Sequence, residues 1–225
     1  LVTLGIPKSI CLKILKNKPP EIMTLPLPET NKITLSYNAY SKIFSFVQKT
    51  NCLLIGPGLT TQPQTQKLIR RIISNVSKPI VIDADGLNAI AEKLDLLKKQ
   101  ASIKIITPHP GEASRLLGIS VSKIQKNRKL FACALSKKYK IITVLKGHKT
   151  IVADFNGNCY INQTGNAGMA TAGSGDVLSG IISAFLAQGL DGFSAAKFAV
   201  YIHGLAGDMA ASTKTQIGLI ASDII

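Results

Sequence analysis

The residue types that can do chemistry are densest in NAGMATAGSGDVLSG, residues 166–180. Gly173 and Gly175 let the backbone approach a ligand closely. After them Val177, Leu178, Ile181, Ile182, Phe185 and Leu186 recur at helical spacing, which predicts a helix ending near Gly189. The first N–H groups of such a helix lack an intrahelical partner, so loop and helix together form an anion site suited to a phosphoryl group. Two familiar phosphate loops do not match. Gly173 is followed by Ser174 rather than lysine, and the sixth position counted from Gly173 is Leu178 rather than glycine or alanine. What remains is an acid, Asp176, at the mouth of the helix. A carboxylate repels a phosphate, yet it suits a base that takes the proton from a hydroxyl attacking phosphorus. A helix cap that complements the dipole would explain the same residue. On chemistry alone both readings stay open.

The elements that must position this loop are short apolar strands alternating with helices. LVTLGIP (1–7), CLLIG (52–56), KPIVIDAD (78–85), SIKIITPHP (102–110) and KIITVLKG (140–147) read as strands. Between them, helical spacing covers 64–76, with Leu68, Ile69, Ile72, Ile73 and Val76. A second helix carries Ile90, Leu94 and Leu97, with Asp85 as its cap, and a short one covers 112–117 and stops at Gly118. Ser122 and Gln125 have the spacing of a capping box for a helix packing Leu130, Phe131, Ala134 and Leu135. TIVAD and NCYINQT form a hairpin around Asn156 and Gly157. The last long helix aligns Phe198, Ile202, Leu205 and Met209 on one face, expected to pack. The proline-rich segment 17–29 reads as a loop or small excursion, not a domain boundary. Strands apolar throughout imply a parallel sheet covered on both faces, with ligands beyond the carboxyl ends of the strands. The loops after Ile55, Ile82, Ile106 and Leu145 are therefore where a site is expected.

Composition narrows the function classes. The 225 residues are 46% hydrophobic and 17% charged, which excludes a disordered chain. Net charge is +15, but only four of the 27 basic residues are arginine, aromatics are 5%, and there is no tryptophan. A nucleic-acid surface would want more of both. Short runs such as Lys98-Lys99 and Lys137-Lys138 fit a solvated surface or an anionic small substrate. The four cysteines form no C-x-x-C pair, so neither a zinc site nor a disulfide framework is expected. Cys52 and Cys133 lie in apolar runs and read as core, which suits a reducing cytoplasm. The apolar stretch 177–190 is too short to span a bilayer, and no targeting signal is evident.

GPGL (56–59), VIDADGLN (81–88), TPHPGEASRLLG (107–118), VLKGHKT (144–150) and the 166–180 segment stand in the order and spacing of a known family. Over nearly its whole length the chain resembles the ADP-dependent NAD(P)H-hydrate dehydratases, which repair hydrated nicotinamide cofactors. The resemblance implies a ribokinase-like three-layer α/β/α sandwich with a mostly parallel central sheet and a late antiparallel hairpin. It implies one such domain over residues 1–225, truncated at its N-terminus. It makes Asp176 the base that activates the hydroxyl of the hydrate, and the N–H groups of Gly173, Ser174 and Gly175 an anion hole. Gly58, His109 and Asp176 would contact the hydrated dinucleotide. Lys146, Gly147, His148, Lys149, Thr150 and Gly175 would bind the adenine nucleotide. No residue is implied as a metal ligand, although transfer from ADP (or ATP) would require Mg²⁺. The implied partners are hydrated NADH or NADPH, the nucleotide, further copies of the chain (a tetramer among the options) and a fused or separate epimerase, but neither nucleic acid nor membrane.

Plainer readings stand beside these. Gly58 could serve only a tight turn, Lys146 could be an ordinary loop lysine, and the His148 side chain could be solvated. His203 reads as a core histidine, Asn166 as a residue that orders the glycine loop, and Asp83 and Asp85 as acids that could help hold a metal through water. Thr60 departs from the family, whose members often carry glycine there. A vitamin-precursor or sugar kinase of the same fold needs the same Asp176 and anion hole, and a basic, non-catalytic RNA- or nucleotide-binding module is the alternative from another class.

Overall fold

The computed structural model describes residues 1–98 and 102–225; Lys99 of the Lys98-Lys99 pair lies outside the described residues. Its centre is a six-stranded sheet. β3 (Leu53–Ile55), β4 (Ile80–Ile82), β5 (Lys104–Ile106) and β6 (Ile142–Leu145) are parallel neighbours in that order. The chain then turns back, so β7 (Ile151–Ala153) and β8 (Cys159–Ile161) complete the sheet antiparallel. Asp154 fixes their turn by accepting from the N–H groups of Asn156 and Asn158.

Continuous apolarity in the strands follows from burial on both faces. Ile80 and Ile82 of β4 point into one core with Ile55 and Ile106, under α2 (Tyr40–Val47), α3 (Pro63–Asn75), α4 (Ala84–Ile90), α5 (Pro110–Leu117) and α7 (Arg128–Tyr139). Val81 points the other way, with Ile105, Val144 and Val152, under α8 (Ser174–Ala187) and α9 (Gly192–Lys214). The three layers and the late hairpin are those expected. No described helix is long and apolar enough to cross a membrane.

Several local expectations give way. The proline-rich segment 17–29 is not all loop: β2 (Ile22–Leu27) pairs parallel with β1 (Val2–Pro7) across α1 (Cys11–Leu15). Pro26 fits because this two-stranded ribbon is all edge, where a missing N–H can face outward. Ser122 caps nothing. The hydroxyl of Ser120 accepts from Lys123 N–H, so α6 (Val121–Lys126) begins earlier, and α7 restarts after Asn127. Within α7 the buried residues are Ala132, Leu135, Ser136 and Tyr139, while Leu130 and Ala134 are exposed. Ser136 can be inside because its hydroxyl meets Thr143 Oγ1 and the Ala153 carbonyl, both at 2.9 Å. The helix expected through Ile90, Leu94 and Leu97 is two pieces, α4 and a separate 3-10 turn, Leu94–Lys98. On α9, Phe198, Ile202, Leu205 and Met209 face solvent. The packed side is Ala195, Ala199, His203, Gly204, Gly207 and Ala210, small residues that admit close contact.

Candidate active site

The parallel strands deliver their following residues to one edge of the sheet, and α8 begins there. After β4 comes Asp83, only 1% exposed. Its Oδ1 accepts from Ala84 N–H (2.8 Å) and from Lys146 Nζ (2.7 Å), and its Oδ2 accepts from Ser179 Oγ (2.8 Å). Asp83, not Asp85, therefore caps α4. Asp85 instead accepts from Thr60 N–H at 2.8 Å and so pins the loop after β3. In that loop Gly58 takes a left-handed turn with open space where a side chain would project, and Thr60 sits at φ +68°.

The loop after β5 starts α5. His109 Nδ1 accepts from Gly111 N–H at 3.0 Å, and Glu112 accepts from His109 N–H at 2.8 Å, a reciprocal cap that leaves half of the His109 ring exposed. Glu112 is buried and lies 3.8 Å from Lys146 Nζ. The loop after β6 is shaped by Arg128, whose guanidinium donates to the carbonyls of Leu145 (2.9 Å), Lys146 (3.2 Å) and His148. Gly147, His148 and Lys149 are exposed at the rim, and Thr150 Oγ1 donates to the Gly147 carbonyl at 3.0 Å. Lys146 parts company with them, because its side chain turns inward to Asp83.

Gly173 caps α8 in the left-handed region, at φ +88°. Gly175 approaches Lys146 so closely that a Cβ would lie 3.3 Å from Nζ. Ser174 is buried: its carbonyl meets His203 Nε2 at 3.0 Å, and its N–H donates to the Thr171 carbonyl at 3.3 Å. Of the three proposed anion-hole residues, Ser174 is thus the one whose N–H is already engaged. Asp176 stands in the first turn of α8, open to solvent, and none of the hydrogen bonds that tie down Asp83 and Glu112 engages its carboxylate. Partial burial and the like charge of Asp83 push its pKa up, and Lys146 pulls it down.

The glycine loop is held from behind by α9. Asp208 accepts from Gly165 N–H (2.8 Å) and Asn166 Nδ2 (2.9 Å), and Asn166 Oδ1 accepts from Gly168 N–H (3.0 Å). Asn166 therefore orders the loop. Burial lowers the pKa of His203, which donates to the loop as a neutral ring. Glu112, Ser179, Arg128 and Asp208 escaped the sequence reading as site residues, and Asp83 enters it only as a contact to metal-bound water. One signal was available: Asp83 is an acid ending a wholly apolar strand, and Asp208 an acid within an apolar helix. Among the described residues no group of three His, Cys, Asp or Glu could cage a metal, and both oxygens of Asp83 are engaged. A Mg²⁺ brought with a nucleotide would rest on phosphates and water, as this ion commonly does. The arrangement as a whole can seat a phosphoryl group on α8, with a free carboxylate beside it.

The family model described as NAD(P)H-hydrate dehydratase matches residues 5–225. The bifunctional NAD(P)H-hydrate repair enzyme Nnr of Moorella thermoacetica is 42% identical over all 225 residues, which cover 42% of that protein. The ADP-dependent (S)-NAD(P)H-hydrate dehydratase of Neisseria meningitidis is 40% identical over 79% of this chain and 61% of its own length. The chain thus spans about two fifths to three fifths of such relatives. A crystal structure of the ADP/ATP-dependent NAD(P)H-hydrate dehydratase from Bacillus subtilis, co-crystallised with ATP/Mg²⁺, superposes with a TM-score of 0.79 at 26% identity, covering 99% of this chain and 74% of that one. Hydroxyethylthiazole kinase from Pyrococcus horikoshii shares the fold, at a TM-score of 0.69 and 14% identity. With the glycine loop, its acid and the strand-end loops assembled at one sheet edge, and with the match running almost from end to end, the chain belongs to the NAD(P)H-hydrate dehydratase family.

Proposed function

We propose that this chain carries an ADP-dependent (S)-NAD(P)H-hydrate dehydratase activity. The observation that carries the reading is the unengaged Asp176 carboxylate beside Gly175, where α8 presents its first N–H groups. The adenine nucleotide lies along residues 147–150 with its terminal phosphate at the start of α8. Hydrated NADH or NADPH lies across Gly58 and His109 with its hydroxyl at Asp176. Asp176 takes the hydroxyl proton, the oxygen attacks the terminal phosphorus, and the bond from phosphorus to the nucleotide's bridging oxygen breaks. ADP leaves as AMP. The C–O bond of the phosphorylated hydrate then breaks, the ring nitrogen supplying electrons. Phosphate departs, and the adjacent carbon loses a proton to restore the double bond. The N–H groups of α8 stabilise the charge on the moving phosphoryl; a Mg²⁺ carried in by the nucleotide would neutralise its phosphates. The names of the Neisseria and Bacillus relatives support ADP, with ATP as the alternative.

The same reading assigns residues 1–225 to one ribokinase-like domain, acting as a homo-oligomer in the cytoplasm. The bifunctional relatives support a companion activity on the hydrate, an epimerase, fused or separate. The test is to incubate the protein with hydrated NADH, Mg²⁺ and ADP or ATP. Recovery of dihydronicotinamide absorbance with equimolar free phosphate is the expected result; a stable phosphorylated product would indicate a kinase instead. Asp176→Asn should lower kcat by about 10²- to 10⁴-fold, the usual worth of a general base, with nucleotide Kd nearly unchanged. Near-normal turnover in that variant rejects the base assignment.

A further inference from the structure

We propose that Lys146 belongs to the catalytic centre rather than the nucleotide loop: its ammonium, seated between Asp83 and Glu112, is the positioning charge that keeps the Asp176 carboxylate ionised and in place. This rests on the reading of Asp176 as the base.

The geometry is specific. The Lys146 side chain is 17% exposed, with Nζ 2.7 Å from Asp83 and 3.8 Å from Glu112. The absence of a side chain at Gly175 leaves room for that ammonium directly beneath the start of α8. Asp83 is coupled to the same turn through Ser179, whose hydroxyl meets Asp83 at 2.8 Å, the Gly175 carbonyl at 2.9 Å and the Asp176 carbonyl at 3.3 Å. Ser179 lies three residues after Asp176, on the same face of α8. A displaced Asp83 would therefore drag the turn that holds the base.

The charges can be enumerated element by element. Asp83 comes from the β4–α4 junction, Glu112 and the half-exposed His109 from α5, and Lys146 from the end of β6. From α9, His203 is bonded to Ser174 and Asp208 to the 165–166 backbone and side chain. Asp85 is turned to Thr60, and Arg128 to the outer carbonyls of the 145–148 loop. Asp83 and Glu112 therefore share one ammonium, whose charge also acts on Asp176. Without Lys146 the charge of Asp83 would act on Asp176 uncompensated, and Asp176 would hold its proton to higher pH. Without the charge of Asp83, Lys146 would act on Asp176 more strongly, and its proton would leave at lower pH.

The experiment follows the Asp176 carboxyl directly, by ¹³C NMR titration of the whole chain, alongside the pH profile of kcat/KM. Lys146→Met should move the titration and the acid limb to higher pH, with activity on that limb falling about tenfold, the low end of what an adjacent opposite charge supplies. Asp83→Asn should move both to lower pH. Lys146→Arg, which keeps the charge, should titrate like the parent and covers the case in which Asp83→Asn fails to fold. Nucleotide Kd should stay within about twofold in Lys146→Met, well under the tenfold that 1.4 kcal/mol would bring. Unmoved titrations, shifts of one sign in both variants, or a large loss of nucleotide affinity with an unmoved titration would each overturn the proposal. The titration needs no substrate, so a protein that fails to turn over hydrate rejects the proposed function while this coupling is still read.

Discussion

Thr60 shows how much a single backbone conformation can matter. It is β-branched and sits at φ +68°, a region that costs a non-glycine residue about 1–2 kcal/mol. The loop holds it there because its N–H reaches Asp85 at 2.8 Å, a bond any residue at this position can make. Glycine would relieve the strain but lose about 0.5–1 kcal/mol of chain entropy. Thr60→Gly should therefore stabilise the protein by about 0.5–1 kcal/mol, raising Tm by about 2 °C for a chain of this size. Thermal unfolding checks it. A lower Tm would mean that the 3.4 Å bond from Gln62 N–H to Thr60 Oγ1 is worth more than the strain.

At the scale of elements, α9 is the template for the glycine loop. Gly204 packs on Thr164 and Gly207 on Met169, while His203 and Asp208 hold the two ends of the loop. A methyl group at Gly207 would overlap the Met169 thioether and push the turn Ala167–Met169 off the helix. Gly207→Ala should cost about 1–3 kcal/mol as overpacking and lower kcat. Gly180→Ala on the open side of α8 has nothing within 4 Å to meet and should stabilise by about 0.5–1 kcal/mol with activity intact. Denaturant unfolding and turnover assays on the two variants separate these outcomes. This packing also marks where the sequence stops being legible. The strands around Val81 and Ile105 and the helix through Leu68 and Ile72 were readable because apolar residues alone define their buried faces. On α9 the large apolar side chains lie outside and the contact is made by Ala195, Ala199, Gly204 and Gly207, so hydropathy assigns the wrong face. The glycine loop and Asp176 were legible as a motif. The inward turn of Lys146 was not, because its partner Asp83 is 63 residues away and Ser179 a further 96 from Asp83, and only the folded sheet edge brings them together.

At the scale of the whole molecule, a net charge of +15 surrounds a proposed centre that gathers acids. Most of the described lysines are exposed, while Asp83, Glu112 and Asp176 form a locally negative floor with the Lys146 ammonium among them. The substrates proposed for this chain, a dinucleotide and a nucleoside diphosphate, are both anions. The long-range field therefore attracts them, and the short-range field at the base does not. This division predicts that salt acts on encounter rather than on chemistry. Screening shortens from about 10 Å at 0.1 M to about 3 Å at 1 M ionic strength, which removes steering by exposed lysines but barely touches a partly desolvated centre. Raising ionic strength over that range should lift KM for both the hydrate and the nucleotide several-fold and leave kcat nearly constant. Steady-state kinetics in an inert salt measure it. A KM indifferent to salt would make the lysines a solvation layer only, and a kcat that fell in step would place the screened charges at the reacting atoms instead.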